Sequence, residues 1–269
     1  MEKKRVLIVA QEMDPYLLIT EMADLVRRTA ISTQDGGMEV RVLMPRFGII
    51  NERRNRLHEV VRLSGMNIII DDEDIPLIIK VASLPGARIQ VYFLDNDEYF
   101  KRKTVFNDDD EVFYDDNAER MVFFCKGVLE TVKKFGWPPS IIHCHGWMTS
   151  LIPAFIKTAY AKDPVFNNSK VVYSLYEKSF DEKLHDNLMQ KAMITKEIGE
   201  NELAAFKSLD FLALQKGACQ YADALVKGAN DISYLDDVLK DQTNKSILEH
   251  PSLEDLTTKY LEFYKSLLN

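Results

Sequence analysis

RVLIVA at residues 5–10, EMADLVRRTAISTQ at 21–34 and MEVRVLMP at 38–45 decide the fold between them. The first is a β-branched apolar run without alternation, the pattern of a parallel strand buried on both faces. The second carries apolar residues at helical spacing and ends at Asp35-Gly36-Gly37, a chain-reversal signal. The third reads as another strand. Strand, helix, strand is a βαβ unit, the seed of a doubly wound α/β sheet.

Residues 59–95 behave differently. EVVRLSG, MNIIIDD, IPLIIKVAS and RIQVYFLD are separated by Gly, Pro and acidic turns, which predicts a meander of short strands inserted into the α/β pattern. A charged loop, NDDDEVFYDDN at 107–117, leads into a helix over about 118–135 that stops at Gly136, with Pro138 and Pro139 beyond it. The α/β rhythm then resumes. Strands are expected over 141–145, 170–176 and 224–227, and helices over 149–160 and 231–240, with 181–219 largely helical. Residues 241–250 read as a linker. The stretch 253–268 is an amphipathic helix with Leu256, Tyr260, Phe263, Tyr264 and Leu267 on one face.

The 269 residues are 46% hydrophobic and 28% charged, an ordinary globular composition. A net charge of −8 argues against nucleic acid, because phosphate binding is powered by Lys and Arg, and against an anionic membrane surface. Three scattered cysteines, Cys125, Cys144 and Cys219, make no disulfide framework, so a reducing compartment is expected. The apolar run after the basic start is too short for a signal peptide, and no stretch approaches the roughly 20 residues of a spanning helix. A soluble, cytoplasmic protein is expected, without nucleic-acid or membrane partners.

Stretches in order along the chain resemble the N-terminal domain of bacterial glycogen/starch synthases. EMDPYLLITEMADL at 12–25 is similar to the family's opening SEVAPFAKTGGLADV, and MEVRVLMPRFG at 38–48 to HEVRVVLPRYG. EVFYDDNAERMVFFC at 111–125 resembles YxDNAERFAFFC, WPPSIIHCHGWMTS at 137–150 resembles WKPDIIHCHDWHTA, and DFLALQKGACQYAD at 210–223 resembles NFLKAGIVYAD. The resemblance implies the first of two Rossmann-like domains of the GT-B glycosyltransferase fold. In that fold ADP-glucose sits in the cleft mostly on the second domain, and acceptor glucan largely on the first. Residues 1–245 are expected to form this domain. Residues 246–269 would be a linker and a C-terminal helix, similar to the family's final helix, that packs back on it. The donor-binding domain is expected to be absent, its segment deleted while the returning helix was kept.

The resemblance also implies site positions. In the family's KTGGL loop the Lys neutralises donor phosphate and the glycines admit backbone N–H groups to the pyrophosphate. Here those positions are Leu18, Ile19, Thr20, Glu21 and Met22. The missing ammonium forfeits a charge-assisted hydrogen bond of roughly 1.5–3 kcal/mol, two Cβ atoms block close approach, and Glu21 repels a diphosphate. Asp116, Asn117, His145 and Trp147 match cleft positions of the family, while its neighbouring Asp and second His are Gly146 and Met148. Asp116 and Asn117 read equally as caps of the following helix. His143 and His145 share one face of a strand and Cys144 the other, and no nearby cluster adds ligands, so packed histidines are expected rather than a metal. The Asp108-Asp109-Asp110 run lacks the Gly and Glu of a calcium loop.

The family's IHNxxYQG loop has become LYEKSF at 175–180, without His or Asn, and its SRFEPCGL segment has no counterpart. Gln215-Lys216-Gly217 falls in a helix, not a phosphate loop. The expected function is therefore a synthase-like protein of glycogen metabolism without independent glucosyl transfer, needing neither cofactor nor metal. It would bind α-glucan through exposed Trp, Tyr and Phe faces, or another glycogen-metabolism protein. The alternative is an ADP-glucose-dependent glucosyltransferase that acts as an oligomer or with a second chain.

Overall fold

The structure, a computed structural model, describes residues 3–252 and 254–269. In chain order the elements are β1 (Arg5–Ala10), α1 (Met22–Asp35), β2 (Glu39–Pro45), β3 (His58–Glu59), β4 (Met66–Ile70), β5 (Glu73–Ser83), β6 (Gln90–Asp95), α2 (Asp97–Phe100) and α3 (Asn117–Phe135). They continue with β7 (Ile141–His145), α4 (Leu151–Lys157), β8 (Lys170–Leu175), α5 (Leu188–Lys191), α6 (Phe211–Tyr221), β9 (Ala224–Lys227), α7 (Asp236–Lys240), β10 (Ser246–Leu248) and α8 (Leu256–Leu267). One sheet runs β10-β9-β8-β7-β1-β2-β6-β5-β3, with β4 paired to β5 off that path. From β10 to β6 every pairing is parallel. The runs without alternation are buried on both faces, as the apolar pattern requires.

The fold is the Rossmann-like doubly wound sheet expected, with differences of detail. The expected meander is present as β4-β5-β6, and its last strand also joins the parallel sheet, pairing with β2 from Arg41↔Gln90 to Pro45↔Leu94. Only β5 and its partners run antiparallel. Of EVVRLSG only Glu59 is strand, closing β3. The outer edge of β5 is divided between β3, opposite Lys80 and Val81, and β4, opposite residues 73–77, so residues 60–65 must turn across the gap. The expected helix over 149–160 is a 3-10 turn followed by the shorter α4, and 231–240 likewise opens as a 3-10 turn before α7.

The segment 181–219 is not largely helical. It holds α5, a 3-10 turn at Ala204–Phe206 and α6, joined by turns. Its Lys, Glu and Gln favour helix, yet it offers no continuous apolar stripe to bury, and short helices without one are marginal. Residues 241–250 do more than link. Ser246–Leu248 adds a tenth strand, parallel to β9. Leu253, where the last helix was expected to begin, lies outside the described residues. From Leu256 onward α8 packs on α1 and buries Leu256, Tyr260, Phe263 and Tyr264, with Leu267 half-buried. Among the described residues no helix is long and apolar enough to cross a membrane.

Two layers cover the sheet: α1 packs with α8, and α4 packs with α3 and with α6. Progression runs from β1 to β2 in one direction and from β7 to β8 to β9 in the other. The order therefore reverses between β1 and β7, and open α/β sheets take ligands at the carboxyl ends of the strands at such a point.

Candidate functional site

At that switch point the chain fills its own crevice. Gln11 follows β1 and donates its N–H to the His145 carbonyl at 3.2 Å, while its side-chain Oε1 accepts from Met148 N at 3.4 Å. Gly146 follows β7 with φ +87°, a backbone conformation that L side chains rarely adopt. A Cβ there would lie 2.4 Å from the Gln11 side chain. An Asp at position 146 would have to displace the buried Gln11 side chain and hold a strained φ.

His145 is completely buried. Its Nδ1 shares a 2.7 Å hydrogen bond with the Tyr176 hydroxyl, and its Nε2 has no partner. Its ring lies 3.9 Å, centroid to centroid, from that of His143. His143 bonds the Tyr264 hydroxyl through Nδ1 (2.5 Å) and Ser174 Oγ through Nε2 (2.8 Å). Burial pushes His145 down to about 3. Burial, and then the neighbouring His145, hold His143 well below the usual imidazole range. Both rings are neutral at pH 7, packed at a sheet end.

Trp147 is also buried. Phe106, Phe180 and Phe113 surround it with ring centroids at 5.0, 5.2 and 6.2 Å, and its Nε1 has no partner. With Trp137 buried too, neither tryptophan presents an exposed face to a sugar.

The β1–α1 loop is closed by a carboxylate of the chain itself. Buried Glu12 accepts from Ile19 N (2.6 Å), Thr20 N (2.9 Å) and the Thr20 hydroxyl (2.7 Å). Burial nonetheless raises its pKa, against the lowering effect of those bonds. Leu18 and Ile19 project into solvent, 65% and 45% exposed.

An open cavity of about 500 Å³ sits at the N-terminal end of α3, lined by Arg102, Tyr114, Asp115, Asp116, Glu119, His185 and Asn187. Arg102 grips Asp116 with both guanidinium nitrogens, one at 2.8 Å, and its guanidinium lies 4.4 Å from the Tyr114 ring centroid. That carboxylate raises the Arg102 pKa further. Glu119 accepts from Asn187 Nδ2 at 2.7 Å and pairs with Lys191 at 3.3 Å.

Neither of the two expected caps works as one: the side chains of Asp116 and Asn117 make no capping hydrogen bond to α3. Asn117 is buried, donating to the Phe106 carbonyl (2.9 Å) and accepting from Arg120 (2.5 Å). Of the four family-matching positions, Asp116 alone lines this cavity. Arg102, His185 and Asn187 escaped the sequence reading because they lie in aperiodic segments where only the folded chain brings them to α3.

Gly48 sets the position of Arg102. A Cβ on Gly48 would meet the Arg102 carbonyl oxygen at 2.2 Å, and backbone cannot swing aside as a side chain can. Gly48→Ala is expected to cost about 3 kcal/mol, the upper range for overpacking, or about 6–12 °C in Tm for a chain of this size. A thermal melt checks this, and a drop under about 2 °C would mean that the loop yields freely.

Comparison with known proteins bears on the class first. The chain superposes on the catalytic domain of starch synthase IV from Arabidopsis thaliana, bound to ADP and acarbose, with a TM-score of 0.76 at 17% identity, covering 93% of this chain and 51% of that one. The chain thus shares the α/β, Rossmann-like fold of about half of that catalytic domain. The family model for the starch synthase catalytic domain matches residues 5–249, and the chain belongs to that family. A glycogen synthase of Chlorobium chlorochromatii is 43% identical over 177 residues, covering 64% of this chain and 35% of the relative. That of Chlorobium limicola is 35% identical over 222 residues, 82% of this chain and 45% of the relative. The chain therefore spans less than half the length of either.

Proposed function

We propose that this chain is an α-glucan-binding protein of glycogen metabolism that does not transfer glucose on its own, with glucan seated in the Asp116 cavity. One observation carries the reading: the N–H groups of Ile19 and Thr20 are already taken by Glu12. A diphosphate arriving at that loop would find the donors occupied, no ammonium, and a buried carboxylate behind them. The starch synthase IV structure holds both ADP and acarbose. Here the loop offers ADP no seat, whereas Asp115, Asp116, Glu119, His185 and Asn187 offer sugar hydroxyls a set of planar donors and acceptors beside the Tyr114 ring.

The test mixes the protein with labelled ADP-glucose and glycogen. Expected are no label in polymer above background, no thermal shift with ADP-glucose, and retention on immobilised glycogen that weakens about tenfold in Asp116→Ala, the worth of one charge-assisted hydrogen bond. Label incorporation that disappears in Asp116→Ala or His145→Ala would overturn the reading.

A second reading, docking of another glycogen-metabolism protein, draws on Leu18, Ile19, Ile49 and Val112, exposed aliphatics in loops at the carboxyl edge of the sheet. Co-purification with such a partner that is lost in Leu18→Ser with Ile19→Ser, with glycogen retention intact, would favour it.

A further inference from the structure

A second open cavity, about 690 Å³, shares no residue with the glucan site. Tyr16, Arg54, Asn55, Arg56, His58, Ser83, Leu84, Pro85 and Gly86 form its walls. Its charge is one-sided. Two arginines and a histidine line it and no Asp or Glu does, in a chain whose net charge is −8. Arg54 and Arg56 are exposed and enter no ion pair among the described residues. By contrast the nearby Arg27 is held by Asp14 (3.0 Å) and the Pro85 carbonyl (3.2 Å), and Arg46 pairs with Glu52 and Asp95.

The second observation is independent of charge. Tyr16 is only 6% exposed and its ring packs edge-on against Phe93 at 5.0 Å, yet its buried hydroxyl has no hydrogen-bond partner. Buried hydroxyls nearly always have one, and each exception asks for an explanation such as a missing ligand. Burial pushes this hydroxyl up to about 12, against the opposing pull of Arg27, so it is a neutral O–H able to donate.

We propose that this cavity binds a phosphomonoester of sugar size. Guanidinium forks match phosphate oxygens two at a time. Arg54 and Arg56 would grip the phosphate, with His58 beside them and the Tyr16 hydroxyl as a neutral donor of the lining that has no partner. The volume falls within the usual range for small-molecule sites and exceeds what phosphate alone would fill. Asn55 and Ser83 supply neutral groups for sugar hydroxyls.

The experiment is calorimetric titration of the full chain with a hexose 6-phosphate, inorganic phosphate and free hexose. The ester is expected to bind saturably and free hexose not at all. Affinity should fall at least tenfold in Arg54→Ala with Arg56→Asn, and about tenfold in Tyr16→Phe, which keeps the ring packing and deletes only the hydroxyl. Asn is chosen at position 56 because φ there is +53°, a region Asn tolerates. Inorganic phosphate binding as tightly as the ester would assign the site to the phosphate group alone and leave the anion site standing. Equal binding of ester and free hexose, or ester binding unchanged in the double arginine variant, would overturn it. Glycogen retention by these variants is expected at the wild-type level, so this site and the Asp116 cavity fail or succeed separately.

Discussion

Taking the protein from pH 7 to pH 4.5 is expected to remove about 2.5 kcal/mol of stability through His145 alone. The folded pKa of about 3 lies below the unfolded value near 6.5. Between those limits the unfolded chain binds more protons, so stability rises with pH. The His145 contribution is complete above about pH 6.5 and is lost as pH falls toward 3. His143 acts in the same direction, and with ring centroids 3.9 Å apart the two cannot both charge without repulsion. Their other neighbours, Ser174, Tyr176, Tyr260 and Tyr264, offer no carboxylate to stabilise an imidazolium.

Of the carboxylates with shifted pKa, the two that are not exposed titrate over lower pH with opposite signs. Glu12, raised chiefly by burial, makes acid slightly favourable. For Glu52 burial is the largest single effect and raises the pKa, but Lys80 and Arg46 together outweigh it, so the net lowering makes acid unfavourable. Both remain in His145→Gln, so their effects cancel when that variant is compared with wild type. Urea unfolding at pH 7.0, 5.5 and 4.5 provides the comparison. The variant should start less stable at pH 7 and lose about 2.5 kcal/mol less on acidification to about pH 4.5. Parallel pH profiles for the two proteins would mean that His145 gains a proton in the folded state without penalty, against the observed burial.

Sequence pattern alone located the parallel core because strands buried on both faces declare themselves locally, as the runs RVLIVA, IIHCH and KVVYSL without polar alternation do. Pattern fails where the neighbour decides. QVYFLD belongs both to the meander, through β5, and to the parallel sheet, through β2, and nothing in its local pattern announces the second pairing. The stretch 181–210 has helical composition without a helical face, so its path is set by what it covers: Asn187 and Lys191 bind Glu119, and Gln190 binds Asp71 at 2.7 Å.

The same limit governs the candidate site. Asp116 could be read from its motif, but its Arg102 partner is 14 positions upstream in an aperiodic loop. Trp147 and His145 were also legible as family positions. The packing of His145 was legible too, but the burial of Trp147 was not, because Phe106 and Phe180 approach it from distant parts of the chain.

The last helix carries the second large effect. Tyr264 and Tyr260 are wholly buried, Leu256 nearly so, and Tyr264 reaches through the layer to His143. Tyr264→Ala is expected to cost about 3–5 kcal/mol, the range for removing a buried aromatic ring. Tyr264→Phe keeps the ring and strands the His143 Nδ1, at about 1–3 kcal/mol for an unsatisfied buried polar group. Burying the four main side chains of α8 contributes about 6–12 kcal/mol at 1.5–3 kcal/mol each, which matches the whole net stability of a typical domain, about 5–15 kcal/mol. Deleting residues 249–269 should therefore leave a chain that melts without a cooperative transition and binds a hydrophobic dye. Chemical denaturation of the two point variants gives the magnitudes, and their difference isolates the ring from the hydroxyl. A cost below about 1 kcal/mol for Tyr264→Ala would mean that α8 rests on the domain without belonging to its cooperative core. In that case the buried histidine pair would have to be held by β7 and β8 alone.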